Sequence, residues 1–135
     1  MSAVLVDSDV LLDLTAIDSD WSEWSARALE AASDRFRLVI NTVICGEVSV
    51  RYSRIEDLDL ALPDMLFERE ELPYEAAFLA GKAFRTYRQR GGTRRSPLPD
   101  FVIGAHAAIA EYQLLTRDVL RYRAYFPHLR LIAPD

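Results

Sequence analysis

The chain has 135 residues and a mass of 15.4 kDa, half of them hydrophobic and 27% charged, which suits one folded domain over 1–135 rather than a disordered chain. Asp7 interrupts the first apolar stretch, no run approaches the ~18 residues of a membrane span, and Cys45 is the lone cysteine. A membrane span, a secretory signal, a disulfide scaffold and a Cys-based zinc fold are thereby excluded, and a reducing cytoplasm is the expected setting.

Residues 3–6, AVLV, form an apolar run that stops at Asp7, the pattern of a strand buried on both faces of a parallel sheet. From Ser8 the period becomes helical, with Val10, Leu11 and Leu14 on one stripe and Ser8 or Asp9 as cap. A second helix over about 21–33, capped by Asp20 or Ser22, places Trp21, Trp24, Ala28, Leu29 and Ala32 on one packing stripe. Residues 37–40 read as a second strand. Asn41 and Thr42 cap a helix to about residue 52, in which Glu47 lies among Val43, Ile44, Val48 and Val50. A short helix over 54–63 and a short strand over 65–69 follow.

Pro73 opens a helix over about 74–90, with Ala76, Ala77, Ala80, Ala83, Phe84 and Tyr87 inward and Lys82, Arg85, Arg88 and Arg90 outward. The loop GGTRRSPLP carries Arg94 and Arg95, and the next helix runs over about 99–112 with Asp100 in its first turn. Residues 114–116 form a short strand that leads to Asp118, VLRYRAYF supplies one or two helical turns, and LRLIA a final strand. This alternation predicts an α/β fold, a mainly parallel central sheet flanked by helices on both faces, with ligands outside the carboxyl ends of the strands.

The net charge of −5 hides a strong asymmetry: residues 1–75 hold 17 acids and six bases, net −11, and residues 76–135 hold four acids and ten bases, net +6. No acid lies between Glu75 and Asp100, so a basic surface coexists with a low overall pI. Clustered arginines are ordinarily a solvated face, yet near a site for phosphates their planar forks suit bidentate binding.

Asp7 ends the first strand, Asp118 follows a later one and Asp100 begins a helix, so three carboxylates can share one rim, and Glu47 can join from its own helix. A carboxylate within VICGEVSV is costly unless a cation or hydrogen-bond donors meet it. Four hard oxygen ligands without paired Cys or convergent His suit Mg²⁺ or Mn²⁺, ions that bridge to phosphate oxygens. Each acid also has a structural reading: Asp7 and Asp118 as caps, Asp100 as a first-turn helix acid, Glu47 as a solvated helix residue. His106 is off the face of Asp100 and reads as packing or surface, His128 and Glu111 do not converge on the rim, and Cys45 reads as a small buried hydrophobe. Tyr122, Tyr125 and Phe126 read as a lid on the core rather than as base-stacking rings.

The opening VDSDVLLDL, the TVICGEV helix, the PDFVIGAHA helix start and the ending LLTRD, RYRAYFP and LRLIAP occur in an order, and at a chain length, that resembles the PIN-domain nucleases. Over nearly the whole chain the likeness is to the VapC-like ribonuclease toxins of bacterial type II toxin-antitoxin modules. The resemblance implies a PIN-like fold with Asp7, Glu47, Asp100 and Asp118 as catalytic, metal-binding carboxylates and Thr116 as a hydroxyl that positions a ligand or water. It also implies a Mg²⁺- or Mn²⁺-dependent endoribonuclease that leaves a 5′-phosphate and a 3′-hydroxyl, a homodimer, and a small antitoxin partner that blocks the acidic site. The family commonly has Asn where this chain has Asp9, an extra acid near the rim whose roles are contact with metal, added charge or, the favoured reading, a helix cap. Arg85, Arg88, Arg94 and Arg95 are then expected to guide the RNA backbone, and an unpaired loop of tRNA or rRNA is the expected target, its cleavage inhibiting translation.

Two other readings use the same residues. VLVDSDVLL satisfies the opening motif of the haloacid-dehalogenase-like phosphatases, but Lys82 is the only lysine and no later acidic pair of the required kind follows. A receiver domain lacks its lysine on the same ground. A non-catalytic RNA- or protein-binding module of the same fold would use the basic 82–95 segment and keep the acids for structure.

Overall fold

The computed structural model describes residues 2–15, 20–92 and 98–135; Arg94 and Arg95 fall outside them. β1 (Ala3–Val6) is the centre of the sheet because AVLV offers no polar side chain to either face, and Val4, Leu5 and Val6 are wholly buried. β2 (Arg37–Ile40) pairs with it on one side and β4 (Gln113–Leu115) on the other, with Leu5 level with Val39 and with Leu114. β3 (Phe67–Arg69) and β5 (Leu131–Ile132) complete a parallel sheet in the order β3-β2-β1-β4-β5. The chain therefore works outward from β1 to β3 and then crosses back to the far side of β1. The carboxyl ends of β1 and β4 flank the place where the order reverses, the crevice in which open α/β sheets bind ligands.

The helices are α1 (Ser8–Thr15), α2 (Ser22–Arg35), α3 (Thr42–Val48), α4 (Ile55–Ala61), α5 (Tyr74–Gln89), α6 (Leu98–Ala110) and α7 (Val119–Tyr125). Asn41 caps α3 as its sequence predicts, its side chain accepting the Ile44 N–H at 2.9 Å. A 3-10 turn over Ser49–Arg51 follows α3 and leaves Val50 exposed rather than beside Glu47. The packing stripe of α2 is Ser25, Leu29 and Ala32, with Trp24 and Ala28 partly buried against the core as predicted; Trp21 lies before the helix and is 40% exposed, outside that stripe. Its indole instead meets Trp24 edge-on at 6.3 Å and lies 5.3 Å from the Arg117 guanidinium. Neither Asp20 nor Ser22 caps α2, and the Ser22 hydroxyl donates to the Asp13 carbonyl.

Ala76, Ala80 and Ala83 bury α5 as predicted, whereas Ala77 faces solvent. Phe84 and Tyr87 of α5 meet Phe101 of α6 and, with Tyr125 and Phe126, form an aromatic cluster whose closest pair, Phe101 and Tyr125, has ring centroids 5.0 Å apart. Gly104 makes this approach possible, since a Cβ there would lie 2.7 Å from the Phe126 ring and 3.0 Å from that of Tyr122. α6 stops before residue 112 because Glu111 turns left-handed at φ 60, and the Tyr112 N–H closes onto the Ala107 carbonyl at 2.9 Å.

Candidate active site

β1 delivers Asp7 to the crevice, and its carboxyl Oδ1 accepts the Ser8 N–H at 2.8 Å, so the acid also starts α1. Its Oδ2 accepts the Thr116 hydroxyl at 2.7 Å and the Tyr122 hydroxyl at 3.1 Å. Thr116 is wholly buried just beyond β4, and its oxygen in turn accepts the Asp118 N–H at 3.0 Å. Ser8 joins Glu47 to the same network by donating its hydroxyl at 2.8 Å. Asp118 accepts the Arg121 N–H at 3.4 Å and thereby caps α7, and the Arg121 guanidinium pairs with Asp100 from the first turn of α6. Strand ends, helix starts and the last turn of α3 thus bring Asp7, Asp9, Glu47, Asp100 and Asp118 into one connected cluster.

The acids feel one another. Burial raises Asp7 well above the usual carboxylate range, and the charges of Asp9 and Asp100 add to it. Burial likewise raises Asp100 in spite of Arg121, with Asp118 adding to the rise, and raises Glu47 in spite of Ser8, with Asp100 adding to the rise. Asp9 is pushed up to about 6 by burial, against the lowering effect of the Arg117 N–H that its Oδ2 accepts at 3.1 Å. Rather than serving its own helix alone, Asp9 ties α1 to the turn after β4. Its other oxygen, Oδ1, is buried with no hydrogen-bond partner.

An orphaned carboxylate oxygen among mutually repelling acids is costly, and a hard divalent cation or its waters would relieve it. The donor set therefore fits Mg²⁺ or Mn²⁺ in kind. Among the described residues no three His, Cys, Asp or Glu side chains stand as a ready-made cation cage. The hydrogen bonds give the reason: each of these carboxylates is turned to a donor of the chain itself, Glu47 to Ser8, Asp7 to Thr116 and Tyr122, Asp118 to its helix start, Asp100 to Arg121.

Residues 4–126 match the PIN domain. The chain belongs to the PIN domain family. In fold this PIN domain is similar to the VapBC2 complex of Rickettsia felis bound to a promoter DNA fragment, at 16% identity and a TM-score of 0.73 over 98% of this chain and 99% of that one. It is also similar to a toxin-antitoxin complex from Klebsiella pneumoniae, at 22% identity and a TM-score of 0.70 over 98% of each chain. A third similar structure is VapC20 of Mycobacterium tuberculosis, a sarcin-ricin loop cleaving toxin, at 15% identity and a TM-score of 0.62 over 90% of this chain and 94% of that one. No curated protein matches the sequence.

Several contacts of the PIN domain escape sequence reasoning. Ser8, Arg121 and Tyr122 touch the acids directly. The signal for the last two is their spacing, three and four residues after the capping Asp118, which folds them back over the start of α7. Tyr122 is core, as the lid reading holds, but its buried hydroxyl also serves Asp7. Arg117 braces the scaffold, with Nε and Nη2 reaching the buried Asp13 at 2.5 and 2.9 Å, and Ser25 donates to the same carboxylate at 2.6 Å. His106 is wholly buried between Asn41 and Glu70 at 2.9 and 3.0 Å. Because the Asn41 amide nitrogen only donates, Nδ1 of His106 accepts and Nε2 carries the proton to Glu70. Cys45 is half-buried rather than buried, and burial pushes its thiol up.

The basic residues form a second region. Arg85 and Arg88 lie on α5, and Arg88 sits over the Phe84 ring at 6.0 Å. Arg90 reaches the Tyr125 ring of α7 at 5.2 Å, which brings the end of α5 beside the helix that carries Arg121.

Proposed function

We propose that the carboxylate rim is the active site of a metal-dependent endoribonuclease, the toxin of a toxin-antitoxin module, that hydrolyses a phosphodiester in a loop of structured RNA and so inhibits translation. The observation that carries this reading is the rim itself: acids at the switch point of a parallel sheet, four of them raised by burial with a neighbouring carboxylate adding to each rise, and one buried oxygen unpartnered. Membership of the PIN family and the fold shared with toxin-antitoxin complexes and with a sarcin-ricin loop cleaving toxin support it.

Asp7, Asp9, Glu47, Asp100 and Asp118 are the residues that would hold the cation. The chemistry such an ion would supply there is neutralisation of their charge, Lewis acidity toward a phosphodiester oxygen and a lowered pKa for an attacking water. Thr116 and Tyr122 orient Asp7, and Ser8 orients Glu47, so the carboxylates are aimed before substrate arrives. Arg85 and Arg88, with Arg94 and Arg95 of the same segment, attract the RNA backbone, an attraction that weakens with salt. The loop nucleotides are chosen because unpaired bases can be splayed and read, whereas a duplex buries its edges. The partner in this reading is a small antitoxin that covers the acids, and the toxin acts as a homodimer in the cytoplasm.

The test is cleavage of total cellular RNA by the purified protein with Mg²⁺, with Mn²⁺ and with a chelator, beside the Asp100→Asn variant. Discrete fragments that require metal and vanish in the variant are expected. Equal digestion by both proteins, or none with either metal, overturns the reading and favours a binding module.

A further inference from the structure

Of the three arginines on the turn and helix after β4, Arg117 and Arg121 reach acids, and their surroundings differ. Arg117 is locked: two of its nitrogens hold Asp13, whose side chain is only 6% exposed, and its guanidinium also lies against Trp21. Arg121 is not. One nitrogen reaches one oxygen of Asp100, a carboxylate that is 28% exposed where Asp13 is 6% exposed. Among the described residues that pair is the one hydrogen bond made by the Asp100 side chain and the one ion pair made by Arg121.

We infer that Arg121 is the site's exchangeable counter-ion: its guanidinium holds Asp100 in the metal-free protein, yields it to an entering divalent cation, and then serves as a ligand for the phosphate of the RNA. This rests on the proposed nuclease reading. The chemistry of the exchange is conservative. A guanidinium fork accepts a carboxylate or a phosphate with the same planar geometry, and its charge does not vary with pH. The backbone N–H of Arg121 stays on Asp118, so the side chain swings while α7 remains in place.

The opposing effects on metal and substrate make the role testable. Removing the internal competitor with Arg121→Gln tightens binding of Mn²⁺ to the RNA-free protein, read by calorimetry or by the resonance of free Mn²⁺, by about tenfold, the scale on which partners of ligating groups act. The same variant loses about tenfold or more in cleavage at saturating Mn²⁺, because the phosphate ligand is gone. Arg123→Gln removes the same charge from the exposed side of the same helix and shifts neither quantity by more than about twofold, which separates exchange from general electrostatics. If Arg121→Gln fails to fold, crystals of the wild type with and without Mn²⁺ decide: the Arg121–Asp100 pair is broken in the loaded form.

Wild-type protein that binds Mn²⁺ and cleaves RNA while Arg121→Gln binds the ion no more tightly, or cleaves as well, overturns this inference alone. So does a loaded crystal in which the pair persists. Wild-type protein that binds no Mn²⁺ overturns the nuclease reading and this one with it.

Discussion

Asp9→Asn is the substitution that isolates the electrostatics of the rim. In the folded protein Asp9 is pushed up from 3.8 to about 6, so its carboxyl binds a proton more tightly folded than unfolded. The sign follows from linkage: this group's stability contribution is fully present below about pH 4 and is lost as pH rises to about 6, above which the loss is complete. About two units at about 1.4 kcal/mol each come to about 3 kcal/mol, the amount by which ionised Asp9 destabilises the metal-free fold at neutral pH. Asn removes that charge, and its carbonyl oxygen still accepts the Arg117 N–H. Urea unfolding in chelator is therefore expected to show the variant more stable than wild type by up to about 3 kcal/mol near pH 7.5 and nearly equal near pH 4. With Mg²⁺ present the gap narrows, because the wild type gains more from the ion. A variant that is neutral or destabilising near pH 7.5, or whose stability keeps the wild-type slope between about pH 4 and 6, refutes the reasoning.

Three further substitutions test the scaffold that aims the acids. Arg117→Ala leaves the buried Asp13 carboxylate without its cation, with the Ser25 hydroxyl still donating to it, and is expected to cost about 3 kcal/mol in thermal or urea unfolding; a loss below about 1 kcal/mol contradicts the structural role given to that pair. Gly104→Ala drives a methyl into the rings of Phe126 and Tyr122, with an expected cost of about 1–3 kcal/mol and a fall in RNA cleavage as the Tyr122 hydroxyl shifts from Asp7; unchanged melting and activity would show that the two helices have slack. Glu111→Gly relieves the left-handed turn that ends α6 and is expected to raise stability by about 0.5–1 kcal/mol by the same unfolding assay, a loss of stability being the contrary result.

The fold was legible where pattern and burial coincide. AVLV has no polar residue to spare for solvent, so β1 is recognisable as a central strand, and Asn41 before TVICGEV marks the start of α3 without ambiguity. The order of strands and helices then fixes which ends of the chain segments carry acids to one rim. Local periodicity misleads where a helix carries apolar residues outside its buried stripe. Ala77 fits the inward pattern and faces outward, and Trp21 fits it but lies before the helix begins, because exposure depends on what the rest of the fold packs there. The acids Asp7, Glu47, Asp100 and Asp118 were readable from their places at strand ends and on helices. Their partners were not, since Ser8, Arg121 and Tyr122 acquire meaning only when α6, α7 and β1 meet in space. Nor does the sequence distinguish Arg117 from Arg121, four residues apart: one is bound by a buried carboxylate and the other by a part-exposed acid of the rim. Arg94 and Arg95 fall outside the described residues, so their share in RNA binding rests on their place in the basic segment.

In the proposed reaction the acid rim directs water at a phosphodiester of RNA, and the ends of the fragments report the nucleophile. Attack by water with departure of the 3′-oxygen leaves a 5′-phosphate on one fragment and a 3′-hydroxyl on the other. Fragments from Mg²⁺-dependent digestion are therefore predicted to accept ligation through a 5′-phosphate and to be extended from a 3′-hydroxyl, with both signals absent for Asp100→Asn. Fragments that end in a 2′,3′-cyclic phosphate, formed when the RNA's own 2′-hydroxyl attacks, would contradict the account.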